Sequence, residues 1–386
     1  MKGIRIMCVL LCVLMCLSAS FSRAEAAPTL SEAMEEAYAL VDFSMVDDIQ
    51  LQIPGYERSM GVDELVRALA SGETISLEAL LERLMSGFVS ALERHKALML
   101  SIMLPVLLVS LLTHTLSGEN GEMKTISRFA GFLFVLIPII TLVAQELEHT
   151  RETIVAMTTR MDRLLPMLLT LLTALGGSAS SAFLHPVVVA ASGSMVFLAR
   201  EVVLRLVMCT CAVTAVNHLC GGAHLTRMAQ LLRGAVCWLL GVSFTVFLGA
   251  MSLQGVCSAS IDGVAIRAAK YAVDNFVPII GGMFSDTMDT LVGCTLIVKN
   301  ALGVAAVLVL LAALLSPLLG TVASIFILKL TAALLEPVAD SGVVSAIGDF
   351  SRTLVLFFVT MLCVATMYFL LIVQVLLVGN LTVMLR

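Results

Sequence analysis

Charge is scarce in this sequence. Asp, Glu, Lys and Arg make up only 13% of its 386 residues, against 59% hydrophobic, and the mean hydropathy is +1.03. That scarcity excludes most soluble enzymes and makes the bilayer the expected solvent for most of the chain. Paired cysteines are missing too. Cys8, Cys12 and Cys16 fall in the N-terminal leader, and Cys209, Cys211, Cys220, Cys237, Cys257, Cys294 and Cys363 sit in apolar runs with no C-x-x-C spacing. Free, buried thiols acting as small hydrophobes are therefore expected, and no disulfide framework. The six histidines show neither H-x-x-x-H nor H-E-x-x-H spacing, so no metal site is expected. With no nucleophile–base motif, Walker loop or dinucleotide fingerprint, neither enzymatic chemistry nor a cofactor is indicated.

The little charge present is unevenly placed. Lys2 and Arg5 precede the apolar stretch Ile6–Leu17, and Ala24-Glu25-Ala26 supplies a small-x-small site with Pro28 just beyond. Residues 1–26 thus read as a cleavable signal peptide, with a retained first transmembrane helix as the alternative. Residues 27–96 carry thirteen acidic and five basic side chains, a balance of −8, whereas residues 97–386 stand at +1. An acidic exported segment argues against nucleic acid or anionic lipid as its partner. Within it, Val62, Leu65, Val66 and Leu69 repeat at helical spacing and stop at Ser71-Gly72. Leu77, Leu80, Leu81, Leu84, Met85, Phe88, Val89 and Leu92 do the same, with Ser76 as the expected N-cap. Pro54-Gly55 marks a turn after an acidic helix starting near Ser31. These apolar stripes need a partner: each other, the bilayer surface or another protein.

From residue 97 onward apolar runs dominate. Expected spans are 97–116 (containing Pro105), 129–145, the short 164–175 that stops at Gly176-Gly177, 182–198, 202–219 followed by Gly221-Gly222, 234–253, 301–335 divided at Pro317 and Gly320, and 353–379, for a total of about seven crossings within a range of six to eight. The fold class is all-α and polytopic. The charged stretch 145–163 reads as a helix leaving the membrane or lying on its surface. Arg200-Glu201 reads as a tight turn between spans, with one continuous helix as the alternative. Lys329 reads as snorkelling, or as paired with Glu336, Asp340 or Asp349. Orientation stays open. A cleaved leader puts 27–96 outside, yet Arg151, Arg160 and Arg163 then fall on the outer side, against the positive-inside rule unless the second span is re-entrant.

Residues 258–300 are the least lipid-like part of the second half. A helix from about Gly263 to Asn275 places Arg267, Lys270 and Asp274 on one face, with Lys270 and Asp274 able to pair. Pro278 stops that helix, Gly281-Gly282 permits a backbone reversal, and Ser285 or Asp286 caps the next helix. Helix, break, helix with ionisable groups at both ends has two readings: the lining of a pore or substrate path, or an interfacial hairpin whose charges face water.

The run DGVAIRAAKYAVDNFVPIIGG from Asp262 to Gly282 closely resembles the signature of the stage III sporulation protein AE family. The likeness extends through Ser285, Asp286, Asp289 and Thr290 to Lys299 and Asn300, and the layout of leader, acidic segment and polytopic domain agrees. The signature positions are Asp262, Gly263, Arg267, Lys270, Asp274, Asn275, Pro278, Gly281, Gly282, Asp286, Asp289, Lys299 and Asn300. The resemblance implies a multi-pass membrane protein of endospore formation, placed in the mother-cell membrane around the forespore. It also implies membership of a channel complex joining the two cells. The partners implied are other stage III sporulation A-type proteins, namely a secretion-type ATPase and ring-forming components, together with the stage II sporulation protein Q. It supplies no catalytic residue and no cofactor. The expected organisation is 1–26 leader, 27–96 exported segment, 97–257 first membrane part, 258–300 signature segment and 301–386 last membrane part. The expected role is a membrane subunit of that complex; a stand-alone secondary transporter with a site near Gly281-Gly282 is the alternative.

Overall fold

A computed structural model describes residues 35, 37–46, 50–51, 60–71, 77–115, 121–219, 225–276 and 281–384. The expected leader, Ser31, Pro54-Gly55, Ser76 and Gly221-Gly222 lie outside them. The described chain is helical apart from one two-residue antiparallel pair, β1 (Gln50–Leu51) with β2 (Met60–Gly61), in which Gln50 faces Gly61 and Leu51 faces Met60. Two short helices follow, α1 (Val62–Ala70) and α2 (Leu77–Arg94). The rest is α3 (Lys96–Thr115), α4 (Gly121–Ala174), α5 (Ser178–Phe197), α6 (Leu204–Leu219), α7 (Thr226–Phe276), α8 (Gly281–Leu335) and α9 (Ser341–Met384).

Among the described residues five helical stretches are long and apolar enough to cross a membrane: Phe132–Ala174, Ser180–Leu219, Thr226–Leu253, Thr290–Leu335 and Ser341–Leu381. Several expected spans are therefore parts of one helix. The runs 129–145 and 164–175 both belong to α4, and Pro317 and Gly320 lie inside an unbroken α8. At Arg200-Glu201 no turn forms. A π-helical segment, Leu198–Val203, joins α5 to α6 and carries the chain straight on. Charge alone does not break a helix, and a π-bulge absorbs an extra residue without ending the ladder. Glu201 and Arg205 then pair one turn apart on the outside, the arrangement expected of a continuous helix. With 54 residues in α4 and 55 in α8, each is about 80 Å long, well over twice a hydrocarbon core of roughly 30 Å.

The centre of the bundle is α9. Every residue from Thr353 to Leu376 is buried or half-buried, because α4, α6, α7 and α8 surround it. Polar side chains tie it to these neighbours: the Tyr368 hydroxyl donates to Thr158 Oγ1 of α4 (3.0 Å) and Gln374 Nε2 donates to the Met251 carbonyl of α7 (2.9 Å). Buried Thr331 and Thr360 satisfy their hydroxyls on the carbonyl four residues back, which lets a hydroxyl sit in an apolar interior. Outer helices are apolar for a different reason. α7 buries Val236, Leu240, Phe247 and Met251 against the bundle and turns Leu231, Trp238, Val246 and Leu253 outward. Lipid accepts that outer face; water does not.

The expected stop at Gly176-Gly177 is a Schellman turn. Gly176 has φ 90°, its N–H donates to the Thr173 carbonyl, and the Gly177 N–H donates to the Leu172 carbonyl (both 3.0 Å). A Cβ on Gly177 would lie 2.9 Å from that carbonyl oxygen, so glycine is required there as well. The stretch 145–163 is not simply a surface helix. It continues α4, burying Glu146, Thr150, Thr153, Ile154, Met157 and Met161 on one stripe and exposing Glu148, Arg151, Glu152 and Asp162 on the other. The thiols also divide: Cys211 and Cys294 are buried, whereas Cys209 and Cys237 are exposed on outer helix faces, where an apolar thiol is equally at ease in lipid.

In the N-terminal segment, Val62, Leu65, Val66 and Leu69 are buried as their spacing requires, with α8 among the elements covering α1. Arg67 lies 4.9 Å from the centre of the Tyr38 ring, whose hydroxyl pKa is raised by burial more than the guanidinium lowers it. α2 lies along α8, with Phe88 edge-on to Phe326, while Met85 and Val89 stay exposed.

Candidate functional site

The signature residues divide between two helices and the gap that separates them. Asp262, Gly263, Arg267, Lys270, Asp274 and Asn275 belong to α7, which ends at Phe276; Gly281, Gly282, Asp286 and Asp289 open α8. Pro278 and the side chains of these ten lie outside the described residues. α7 starts at Thr226 and runs unbroken across position 258, so the signature helix is the far end of an apolar one.

Lys299 and Asn300 are described, and Lys299 is among the largest fully buried side chains of the described residues. It projects from α8 onto α9, where Nζ donates to the Leu376 carbonyl (2.9 Å) and to Asn380 Oδ1 (3.1 Å). Gly379 makes the approach possible, since a Cβ there would sit 2.1 Å from Nζ. One turn further along, Gly303 leaves space for Leu376 in the same way. Among the described residues no carboxylate pairs with Lys299, so neutral oxygens alone satisfy the amine. Asn300 leaves its Oδ1 buried without a hydrogen bond.

Two further polar junctions escape sequence reading. Asp349 of α9 gathers basic side chains from three helices: His218 Nε2 of α6 at 3.1 Å, Arg233 Nη1 of α7 at 3.5 Å and Arg352 of α9 itself at 3.1 Å. Arg233 Nη2 also donates to the Asp349 carbonyl (3.1 Å), and Asn217 Oδ1 accepts from the Leu225 N–H (3.0 Å) ahead of α7. Lys329 takes no part; it is exposed on the outside of α8, about 9 Å from the helix end at a rise of 1.5 Å per residue, as snorkelling requires.

The other junction centres on Glu146 of α4, whose side chain is 5% exposed. Thr321 Oγ1 and Ser324 Oγ of α8 each donate to it at 2.7 Å, and His95 Nε2, at the corner between α2 and α3, lies 3.3 Å from Ser324 Oγ. The order is carboxylate, hydroxyl, imidazole, not the carboxylate–imidazole–hydroxyl order of a serine hydrolase. A sequence signal existed in the i, i+3 pair Glu146 and His149, but the partners lie 175 or more residues away. Among the described residues no three His, Cys, Asp or Glu side chains form a metal-binding group.

Residues 60–379 match the family model described as stage III sporulation protein AE. A stage III sporulation protein AE from Bacillus subtilis (strain 168) is 31% identical over 268 residues, covering 69% of this chain and 67% of that one. No solved structure matches the chain.

Proposed function

Because this chain belongs to the stage III sporulation protein AE family, we propose that it is the polytopic membrane subunit of a channel or secretion-like complex joining mother cell and forespore. The observation that carries the reading is family membership over residues 60–379, which spans α1 to nearly the end of α9. The geometry supports it in kind. The polar junctions at Lys299 and Asp349 cross-link helices, and the role they favour is a rigid, non-enzymatic membrane scaffold. In this reading the chain sits in the mother-cell membrane with its N-terminal segment outside the cytoplasm. Its partners are the ATPase and ring-forming stage III sporulation A-type proteins and the stage II sporulation protein Q.

Among the described residues the α1 stripe is covered within the chain, whereas α2 leaves Met85 and Val89 64% and 52% exposed, and these are the apolar surface proposed for a partner. Affinity capture of a tagged chain from sporulating cells tests the reading. Co-purification of ring-forming or ATPase components, lost on Met85→Glu with Val89→Glu, is the expected result. Capture of the chain alone counts against it, and solute uptake by the purified protein in liposomes without partners would replace it with the transporter reading.

A further inference from the structure

The central helix α9 serves as a ruler, because polar contacts fix which parts of α4 and α7 lie abreast of each other around it. On one side, Glu146 of α4 accepts from Ser324 of α8, and the neighbouring Ile325 carbonyl accepts from Ser351 Oγ of α9 (3.4 Å). Further along, Tyr368 of α9 donates to Thr158 of α4. Residues 146–158 of α4, about 18 Å at a rise of 1.5 Å per residue, therefore lie beside 351–368 of α9. On the other side, Arg233 of α7 meets Asp349 and the Met251 carbonyl meets Gln374, so 233–251 lie beside 349–374. The first stretch falls within the second.

The two sides of this slab differ in kind. Between 233 and 251 no exposed residue of α7 is charged: Cys237, Trp238, Val242, Val246 and Leu248 face outward, and Thr245 returns its hydroxyl to the Gly241 carbonyl (2.8 Å). Between 146 and 158 the exposed residues of α4 are Glu148, His149, Arg151, Glu152 and Val155. From there to the end of the helix they are Thr159, Asp162, Pro166, Thr170, Thr173 and Ala174. Only the first part of α4 is apolar outside, with Phe129, Leu133, Phe134, Ile137 and Ile140 exposed. If α4 simply left the membrane beyond Ile140, the slab would leave with it, yet the outer face of α7 in that slab is apolar.

Lipid cannot cover both sides. Acyl chains offer a carboxylate or a guanidinium no partner, and charges at membrane depth border a water-filled cavity or pair with one another. Glu201 and Arg205 take the second course, one turn apart on their own helix. Among the described residues Glu148, Arg151 and Glu152 form no ion pair. We propose that the α4 face over residues 148–162 borders water at the depth where α7 borders lipid, as one wall of an aqueous path through the membrane. With Arg151 between Glu148 and Glu152 the wall carries both signs, unlike a selectivity ring of one charge, and suits hydrated cargo of either sign. The inference deepens the channel reading and rests on it for what the path carries; where the path lies rests on the two outer faces.

The test uses the tagged full-length chain in membranes of sporulating cells, opened so that reagent reaches both sides. A thiol reacts as its thiolate, which needs water, so a sulfonated maleimide that does not enter lipid reports which face is wet. Native Cys237 on α7 is the internal reference, and modification is read residue by residue by mass spectrometry. Glu152→Cys is expected to react at least tenfold faster than Cys237, which becomes reactive only after denaturation in SDS. Equally slow reaction would put the α4 face against lipid or protein, and equally fast reaction would put the whole slab in water; either overturns the proposal. Thr159→Cys, two turns along the same helix, decides the matter by the same criterion if Glu152→Cys does not reach the membrane. Partner capture plays no part in the readout, so this result stands apart from the test of the channel reading.

Discussion

Lys299 and Asp349 are both ionisable, both at contacts of α9 inside the bundle, and yet satisfied in opposite ways. Asp349 is ringed by His218, Arg233 and Arg352, so its charge is met by two guanidinium groups and an imidazole from three helices. Lys299 meets only the Leu376 carbonyl and the Asn380 amide oxygen, both from one helix. An ion network gives each member a debt to the others; removing one leaves uncompensated charges inside. A lysine on neutral acceptors owes less, and shape takes over from charge: Gly379 is there because Nζ leaves no space for a Cβ. One junction is electrostatic and the other steric.

The comparison breaks most visibly at Asp349. Asp349→Ala leaves His218 and Arg233 facing the interior without their acceptor and is expected to destabilise the protein by about 3–5 kcal/mol, read by thermal unfolding in detergent. Arg352→Ala, whose side chain is mostly exposed, is expected to cost roughly 1 kcal/mol or less. Equal effects would mean that Asp349 serves only its local pair. At the steric junction, Gly379→Ala is expected to cost about 1–3 kcal/mol by overpacking. Lys299→Met added to it restores much of that loss, because the atom that clashes is gone. No rescue would show that the glycine serves the backbone and not the lysine. Lys299→Met alone is expected to change stability by no more than about 1 kcal/mol, since the relief of burying an amine offsets the loss of its hydrogen bonds to the Leu376 carbonyl and Asn380 Oδ1. Smallest of all is Lys329→Ala, expected within about 0.5 kcal/mol because the side chain lies on the outer surface without a partner among the described residues.

What could be read in advance follows the range of the forces concerned. The α1 stripe of Val62, Leu65, Val66 and Leu69 and the stop at Gly176-Gly177 depend on local periodicity and backbone conformation, and both appear as expected. The break expected at Pro278 falls on residues 277–280, outside the described residues, between α7 and α8. The turn assigned to Arg200-Glu201 does not form: both residues are half-buried in an unbroken helix, where Glu201 pairs with Arg205 one turn on. Glu146 looked like one charge among many in a solvated stretch. Its burial depends on Thr321 and Ser324, which no local pattern links to it. Lys299 was singled out by family resemblance, but its burial rests on Gly379 and Asn380 across the α8–α9 contact.

One side chain reports directly on the claim that lipid is the solvent of the outer helix faces. Trp238 is the only tryptophan in the sequence and stands 68% exposed on α7. In liposomes containing brominated acyl chains its fluorescence should be strongly quenched, while aqueous acrylamide should quench it little. Quenching by acrylamide with no response to brominated lipid would place that face in water and contradict the account of the fold.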